Sequence, residues 1–294
     1  MMPGKTAAVI LLLSCLVSSY GSAQVAAEYP EVMTYNIRYD NPGDGIYSWK
    51  ERKQAVFSLI RSEDPAIAGL QEVLEGQLKG LLEALPGYGY AGVGRDDGIS
   101  GGEFSPILFK KSLFTIEKSS TFWLSETPSV PGSISWQAAC TRIVTWAKLR
   151  NKTSGAAFFC FNTHFDHVSE TARMNSARML IDSIRSIAGT APVILTGDFN
   201  CTSYDPALEA ISAVMTDCRT DAALDAGFPT TFVGFPADTT RREVIDHIFI
   251  SRNNWPRVRK YAVMLNQTDG KYPSDHLPVT VELQFPANPD QHNQ

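Results

Sequence analysis

Short apolar runs alternate with polar positions along this chain, and several of the runs end abruptly in a polar side chain. Runs of this length, closed by a turn signal, predict strands that are buried in a sheet. Four of them lead to Asn36, Glu72, His164 and Asp198. Because α/β sheets carry their chemistry at the carboxyl ends of strands, these polar ends are candidate site positions.

A segment with helical periodicity lies between Asn36 and Glu72, and another lies between His164 and Asp198. Apolar residues recur there every three or four positions, which predicts helices that each cover a sheet. The separation from Asn36 to Glu72 nearly equals that from His164 to Asp198. We therefore interpret the chain as a pseudo-repeat of strand, helix and strand that directs polar residues to one shared edge.

The middle of the chain is rich in loops. Arg95 lies in a glycine-rich segment that is predicted to be a solvated loop. Glu103 and Arg142 flank predicted strands, and the sequence leaves open whether they pair across strands or belong to a site. His167 and His247 are interpreted as ordinary strand-end residues. The strands predicted in this region cover residues 105–109, 121–124 and 143–149.

The first residues have the features of a signal peptide. Lys5 precedes an apolar run from Ala7 to Val17, and small residues at 21–23 offer a cleavage site. We expect a secreted or periplasmic protein, with a lipid anchor at Cys15 as the weaker alternative. The prediction is a leader over 1–23, one domain over 24–285 and a disordered tail over 286–294, with no integral membrane segment.

The net charge of −5 makes the chain mildly acidic. It lacks the broad basic footprint of a dedicated nucleic-acid binder, so nucleic acid is possible as a partner but not favoured. Four cysteines follow the leader, and their spacing matches no zinc pattern. Cys201 and Cys218 flank a predicted helix, and export would permit a disulfide between them.

Ten polar residues are expected to collect at the shared edge. Carboxylates, carboxamides and scattered histidines suit a hard cation such as Mg²⁺ or Mn²⁺. An arginine can neutralise charge on a phosphoryl group. Together, these groups are suited to metal-assisted attack of water on phosphorus. The set is Asn36, Glu72, Glu103, Arg142, His164, Asp198, Asn200, Asp246, Asp275 and His276.

Six motifs together resemble the endonuclease/exonuclease/phosphatase superfamily. They are Thr-Tyr-Asn36-Ile-Arg, Leu-Gln-Glu72, Asn-Thr-His164, Gly-Asp198-Phe-Asn200, Ile-Asp246-His and Ser-Asp275-His276. The resemblance covers about residues 31–284. It implies an α/β fold, a four-layer α-β-β-α sandwich of two packed mixed sheets with outer helices.

The resemblance also implies roles. Asn36, Glu72 and Asp275 would form the metal shell, and Asp198 would orient or deprotonate the attacking water. Asn200 would hold water or phosphate, and Arg142 would contact phosphate. His276 oriented by Asp246, and His164 oriented by Glu103, would be two histidine–acid pairs that stabilise the phosphoryl group and protonate the leaving oxygen.

The leading hypothesis is a secreted Mg²⁺-dependent phosphoester hydrolase, either a phosphodiesterase or a phosphatase, which we expect to be a monomer. Two alternatives stay open from the sequence. One is a secreted nuclease of the same superfamily. The other is a non-catalytic surface-binding module that retains the fold, although no polar position of the motifs is missing.

Overall fold

The computed structural model describes residues 30–252, 257–267 and 270–284. The predicted leader and the predicted tail therefore lie outside the described residues. The elements of the first half are β1 (Glu31–Asn36), α1 (Trp49–Glu63), β2 (Ile67–Gln71), α2 (Glu75–Ala84), β3 (Tyr88–Ala91), β4 (Ile107–Lys110), β5 (Phe114–Trp123) and β6 (Ile143–Asn151). The elements of the second half are β7 (Ala157–His164), α3 (Glu170–Ala188), β8 (Val193–Asp198), α4 (Pro206–Ser212), β9 (Met215–Asp217), α5 (Cys218–Asp221), β10 (Leu224–Ala226), β11 (Asp246–Ser251), β12 (Arg257–Val263) and β13 (Val279–Gln284).

The strands form two mixed sheets. The seven-stranded sheet has the order β10-β12-β13-β1-β2-β4-β3, and the six-stranded sheet has the order β5-β6-β7-β8-β11-β9. The two strands at the centre of each sheet are parallel. In the β1–β2 pair Asn36 lies opposite Gln71, and in the β7–β8 pair His164 lies opposite Asp198. Helix α1 connects the first pair and α3 the second. The predicted pseudo-repeat is confirmed by this topology.

Three apolar clusters fill the layers between helices and sheets. Neighbouring residues of β1 belong to different clusters. Val32 faces the cluster between the sheets, and Met33 faces the cluster under α1 and α2. In β8, Ile194 lies between the sheets, whereas Leu195 packs under α3 and α4. This period of two places helices outside two packed sheets, which confirms the predicted fold class.

A polar seam joins the sheets just below the paired strand ends. Nε2 of Gln71 donates to Oδ1 of Asn162 at 2.7 Å, and Oγ1 of Thr196 donates to the same oxygen at 3.0 Å. Nδ2 of Asn162 donates back to the carbonyl of Leu70 at 2.7 Å. Gly69 permits this approach, since a Cβ there would lie 2.0 Å from the Thr196 hydroxyl. The seam fixes the register between the sheets.

Several local predictions differ from the structure. Strand β5 begins at Phe114 rather than at residue 121, because its added residues lie on an exposed edge and lack an apolar pattern. The spacing of Ser48 and Glu51 predicts a capping box at the start of α1, but the side chain of Ser48 makes no capping hydrogen bond. The apolar run after His276 predicts that Asp275 and His276 start the last strand, but both residues lie in the segment before β13.

The described cysteines are free. Cys201 packs in the cluster under α3 and α4, whereas Cys218 packs between the sheets, so the possible bridge between them is not formed. Among the described helices, none combines the length and apolar character that crossing a membrane requires.

Candidate active site

One carboxylate oxygen lies at the centre of the paired strand ends. Oδ2 of Asp198 accepts a hydrogen bond from Nδ2 of Asn36 at 2.9 Å. Nε2 of His164 lies 3.4 Å from the same oxygen, and Nε2 of His276 lies 3.6 Å from it. Oδ1 of Asp198 accepts from the backbone N–H of Asn200 at 2.9 Å. The convergence predicted for these distant segments is therefore present, and both sheets contribute to it.

Left-handed backbone follows three of these strand ends. The φ angle is 57° at Arg38, 60° at Glu72 and 52° at Asn200. Non-glycine residues avoid this region, and such strain persists where surrounding contacts enforce it. Glu72 illustrates the enforcement, since its carboxylate accepts from Nδ2 of Asn36 at 3.0 Å and from the N–H of Tyr39 at 3.1 Å. The turns direct polar groups into the cleft.

His276 and Asp246 form a buried pair. Nδ1 of His276 lies 2.9 Å from Oδ2 of Asp246, and the ring of Phe232 packs against the imidazole at 4.9 Å. Burial opposes the charge on His276, but Asp246 and Asp198 outweigh it and raise the pKa of His276 to about 10. This geometry agrees with the prediction that Asp246 orients the imidazole of His276.

His164 lies in a different environment. Burial, together with Arg142 and Arg95, holds its pKa well below the usual range. Its predicted partner Glu103 lies 4.0 Å from Nδ1 of His164, which makes no hydrogen bond. Glu103 instead accepts from Nη1 of Arg95 at 2.7 Å. The second histidine–acid pair therefore stays a prediction, because the two side chains lie at ion-pair distance while the hydrogen bond of the Glu103 carboxylate goes to Arg95.

Burial also acts on the carboxyl groups. It raises the pKa of Asp198 to about 7, with the neighbouring Asp246 acting in the same direction. Burial likewise raises the pKa of Asp275 and of Glu103. A cation bound beside these carboxyl groups would lower their pKa values again and favour the ionised form.

Three arginines border the cleft, and only Arg142 among them is a predicted site residue. Nη2 of Arg142 lies 3.0 Å from Nδ1 of His167, so this histidine belongs to the cleft rather than to a plain strand end. Arg95 lines the cleft through its pair with Glu103, contrary to the prediction of a solvated loop. Arg38 joins Asp44 at 3.0 Å. His247, by contrast, is buried outside the cleft as expected.

The cleft has a volume of about 510 Å³. Eight of the ten predicted residues line it, Asn36 lies directly beneath them, and Asp246 lies behind His276. Loop geometry, which leaves no periodic signal, adds the residues that the sequence analysis missed. These are Arg38, Tyr39, Arg95, Cys140, His167 and Phe232.

Arg52 anchors two of the segments that carry the site. Its buried guanidinium donates from Nη1 to the carbonyls of Ile37 at 2.6 Å and Pro273 at 3.0 Å. Nη2 donates to the carbonyl of Arg38 at 2.8 Å. The segment after β1 and the segment before Asp275 are therefore held by one side chain.

The oxygen donors of the cleft fit a hard divalent cation. The guanidinium of Arg38 lies 3.8 Å from Glu72 and 3.9 Å from Asp275, so the two carboxylates border the same space. Carboxylate oxygens are the ligands that Mg²⁺ and Mn²⁺ prefer. Asp198, Asp246 and His276 also offer atoms within 4.8 Å of one another, and within this group His276 is hydrogen-bonded to Asp246.

Asn36 stays a predicted metal ligand, and its amide already makes three hydrogen bonds within the protein. Its Nδ2 donates to Glu72 and Asp198, and its Oδ1 accepts from the N–H of Arg38 at 3.0 Å. Both polar atoms of the amide are therefore engaged by the protein. Asn36 orients the two carboxylates toward the cleft.

A two-sheet α/β sandwich with carboxylates and histidines at its paired strand ends defines a class of hydrolases that act on phosphoester bonds. The chain belongs to the Endonuclease/Exonuclease/phosphatase family, whose model matches residues 33–276. Members of this family cleave phosphoesters and generally depend on divalent metal ions.

Solved structures from two Bacteroides species are similar to this chain. An endonuclease/exonuclease/phosphatase of Bacteroides vulgatus is 39% identical, with a TM-score of 0.84, and the match covers 88% of this chain and 100% of that one. A mannosyl-6-phosphatase of Bacteroides thetaiotaomicron is 36% identical, with a TM-score of 0.83, and the match covers 87% of this chain and 100% of that one.

Curated relatives are longer than the matched region. Nocturnin of Drosophila melanogaster is 26% identical, and the match covers 93% of this chain and 50% of that protein. The chain spans 40 to 60% of the length of the curated relatives it matches.

Proposed function

We propose that the protein is an exported phosphatase that uses a divalent cation to hydrolyse sugar phosphates. The observation that carries this proposal is the convergence of Asn36, His164 and His276 on Oδ2 of Asp198. A buried carboxylate flanked by two imidazoles, beside further carboxylates, suits attack of water on phosphorus.

Asp198 is the proposed base. With a pKa near 7, its carboxyl group accepts a proton from water at neutral pH while remaining basic enough to hold it. The N–H of Asn200 and the amide of Asn36 fix the carboxylate in place. This preorganisation reduces the loss of entropy when water is positioned.

The two histidines take different roles. His276 is charged at neutral pH and stabilises the negative charge that develops on the phosphoryl group. His164 is neutral there and contributes a hydrogen bond rather than a charge. Arg142, which is also buried at the cleft, supplies a further positive charge for phosphoryl oxygens.

Glu72 and Asp275 are the proposed ligands of Mg²⁺ or Mn²⁺. When bound, such an ion polarises a phosphoryl oxygen and offsets the negative charge of the transition state. The proximity of both carboxylates to Arg38 supports a shared position for positive charge between them.

A sugar phosphate is the favoured substrate class. A mannosyl-6-phosphatase is 36% identical to this chain, and the match covers 100% of that protein's chain and 87% of this one. A cleft of about 510 Å³ is of a size that holds a small phosphoester. The net charge of −5 offers little attraction for a nucleic-acid backbone.

A substrate panel tests the proposal. Purified protein would be incubated with mannose 6-phosphate, an aryl phosphodiester, single-stranded DNA and RNA, in EDTA and then with Mg²⁺ restored. We expect phosphate release from mannose 6-phosphate that EDTA abolishes, that Mg²⁺ restores, and that His276→Ala lowers by about 100-fold or more. Cleavage of nucleic acid alone would identify a nuclease instead. A lack of turnover on every substrate would favour a binding module.

Export is tested separately. The signal-peptide features of residues 1–23 support it. Expression in a bacterial host, followed by fractionation and mass determination, should find a protein that begins near Gln24 outside the cytoplasm. Recovery of the full-length chain in the cytoplasm would contradict this part of the proposal.

A further inference from the structure

A second depression adjoins the active-site cleft. It lies between the first half of α3 and the segment after β8, and its volume is about 730 Å³. Asn200 lines both this groove and the cleft around Asp198. The groove and the cleft are therefore neighbours, and a molecule with its phosphoryl group beside Asp198 would reach the groove by extending across Asn200.

The floor of the groove is cross-linked. The buried Arg173 donates from Nη1 to the carbonyl of Asp166 at 3.2 Å and from Nη2 to Asp205 at 3.4 Å. Asp205 in turn caps α4 by accepting from the N–H of Ala207 at 2.8 Å. Nδ2 of Asn200 donates to the carbonyl of Phe165 at 2.9 Å. These bonds preform the groove in the absence of a ligand.

An exposed aromatic ring borders this floor. Tyr204 lines the groove and is 87% exposed, so its ring is free to contact a ligand there. Such a ring beside a polar cleft is typical of a surface on which a ligand stacks. Asn175 and Thr202 add neutral hydrogen-bonding groups around it.

The charges of the groove limit what it can hold. Two guanidinium groups, from Arg173 and Arg178, are balanced by the carboxylates of Glu170 and Asp205. A balanced groove does not attract a second phosphate or a polyanionic strand, in contrast to a basic one. An aromatic face with neutral amide and hydroxyl groups suits a neutral ligand rich in hydroxyl groups.

We propose that this groove is a subsite for a second, unphosphorylated sugar ring of the substrate, stacked on Tyr204. The proposal rests on the proposed function and narrows it to phosphorylated oligosaccharides. The ring beside Asp198 carries the phosphate, and the ring that follows it passes Asn200 and contacts Tyr204.

Kinetics on two substrates test the subsite. Mannose 6-phosphate and a mannose disaccharide with phosphate on one ring would be compared in the wild type, Tyr204→Ala and Tyr204→Phe. We expect the wild type to prefer the disaccharide by about tenfold in kcat/KM, which corresponds to one stacked ring. Tyr204→Ala should lose this preference without changing turnover of mannose 6-phosphate, and Tyr204→Phe should retain it. Tyr90→Ala removes an exposed tyrosine outside the groove and serves as the matched control.

A binding measurement separates this proposal from the proposed function. Saturation-transfer NMR would detect unphosphorylated mannobiose on the wild type, and the signal should disappear in Tyr204→Ala. Turnover of mannose 6-phosphate without a preference for the disaccharide would overturn the subsite and leave the phosphatase intact. Binding of mannobiose that requires Tyr204, without turnover of any phosphoester, would support the subsite and overturn the phosphatase.

Discussion

His164 and His276 approach the same oxygen of Asp198, at 3.4 and 3.6 Å, yet their pKa values move in opposite directions. His276 is held as a cation by carboxylates, whereas burial and neighbouring arginines keep His164 neutral. Two chemically identical side chains therefore differ in charge at pH 7 because of their partners. The cleft therefore has one charged and one neutral imidazole beside the carboxyl group of Asp198.

Asp198→Asn should remove turnover while the protein stays folded. The amide keeps the size of the side chain but cannot take a proton from water, so we expect kcat to fall by about 100-fold or more. Burial raises the pKa of Asp198, so its charged form opposes folding above pH 7 and the neutral amide does not. Thermal unfolding at pH 8 should give an unchanged or higher Tm. Asp182→Asn, on the exposed face of α3, is the control.

Asp246→Ala and His276→Ala should be strongly non-additive. The two side chains are joined at 2.9 Å and act as one unit, so the double variant should lose little more activity than His276→Ala alone. Measured kcat values for both single variants and the double variant decide the point. Effects that multiply would show that the two residues act independently.

Arg52→Met should impair both stability and catalysis. Removing the guanidinium leaves the buried carbonyls of Ile37 and Pro273 without a donor, which costs about 2 kcal/mol or more in the free energy of unfolding. The segments that carry Arg38 and Asp275 would also lose their shared anchor. We expect a higher Mg²⁺ concentration for half-maximal activity, with partial recovery in Arg52→Lys. An unchanged Mg²⁺ requirement in folded protein would assign Arg52 to stability alone.

Glu31 should make stability depend on pH. Burial, reinforced by Glu63, raises the pKa of its carboxyl group to about 7, and Glu282 lies directly opposite on β13. The folded state binds this proton more tightly, so the stabilisation is complete below about pH 4.5 and is lost as pH rises through 7. Glu31→Gln should flatten this part of the stability curve. Urea unfolding at pH 5 and pH 7.5 measures the slope, with the exposed Glu51→Gln as control.

Strand ends were predictable because two signals coincide there. An apolar run predicts the strand, and the polar residue that ends it marks the carboxyl end of that strand at the edge of the sheet. The sequence therefore predicts four site positions, which are Asn36, Glu72, His164 and Asp198. Both signals are local, and the parallel pairing of β1 with β2 and β7 with β8 brings the ends together. The family motifs supplied Asp246 and His276, which simple periodicity does not distinguish from His247.

Loop residues escaped prediction because their positions depend on tertiary contacts. Arg95 reaches Glu103 only because the glycine-rich segment folds back, with φ of 74° at Gly102 and a backbone bond from the N–H of Arg95 to the carbonyl of Glu103. Arg38 reaches the cleft because its backbone is left-handed, which no pattern of apolar and polar residues predicts. His167 depends on its contact with Arg142, which is 25 residues away in the chain.

The hydrogen bond from Asn36 to Asp198 crosses from one sheet to the other, just above the polar seam of Gln71 and Asn162. Neither half of the sandwich holds the complete set of proposed catalytic residues. A folding intermediate with only one sheet formed would therefore be inert, and the onset of phosphoester turnover during refolding would report the moment at which the halves dock. Enzymatic activity in this architecture is a direct readout of long-range assembly.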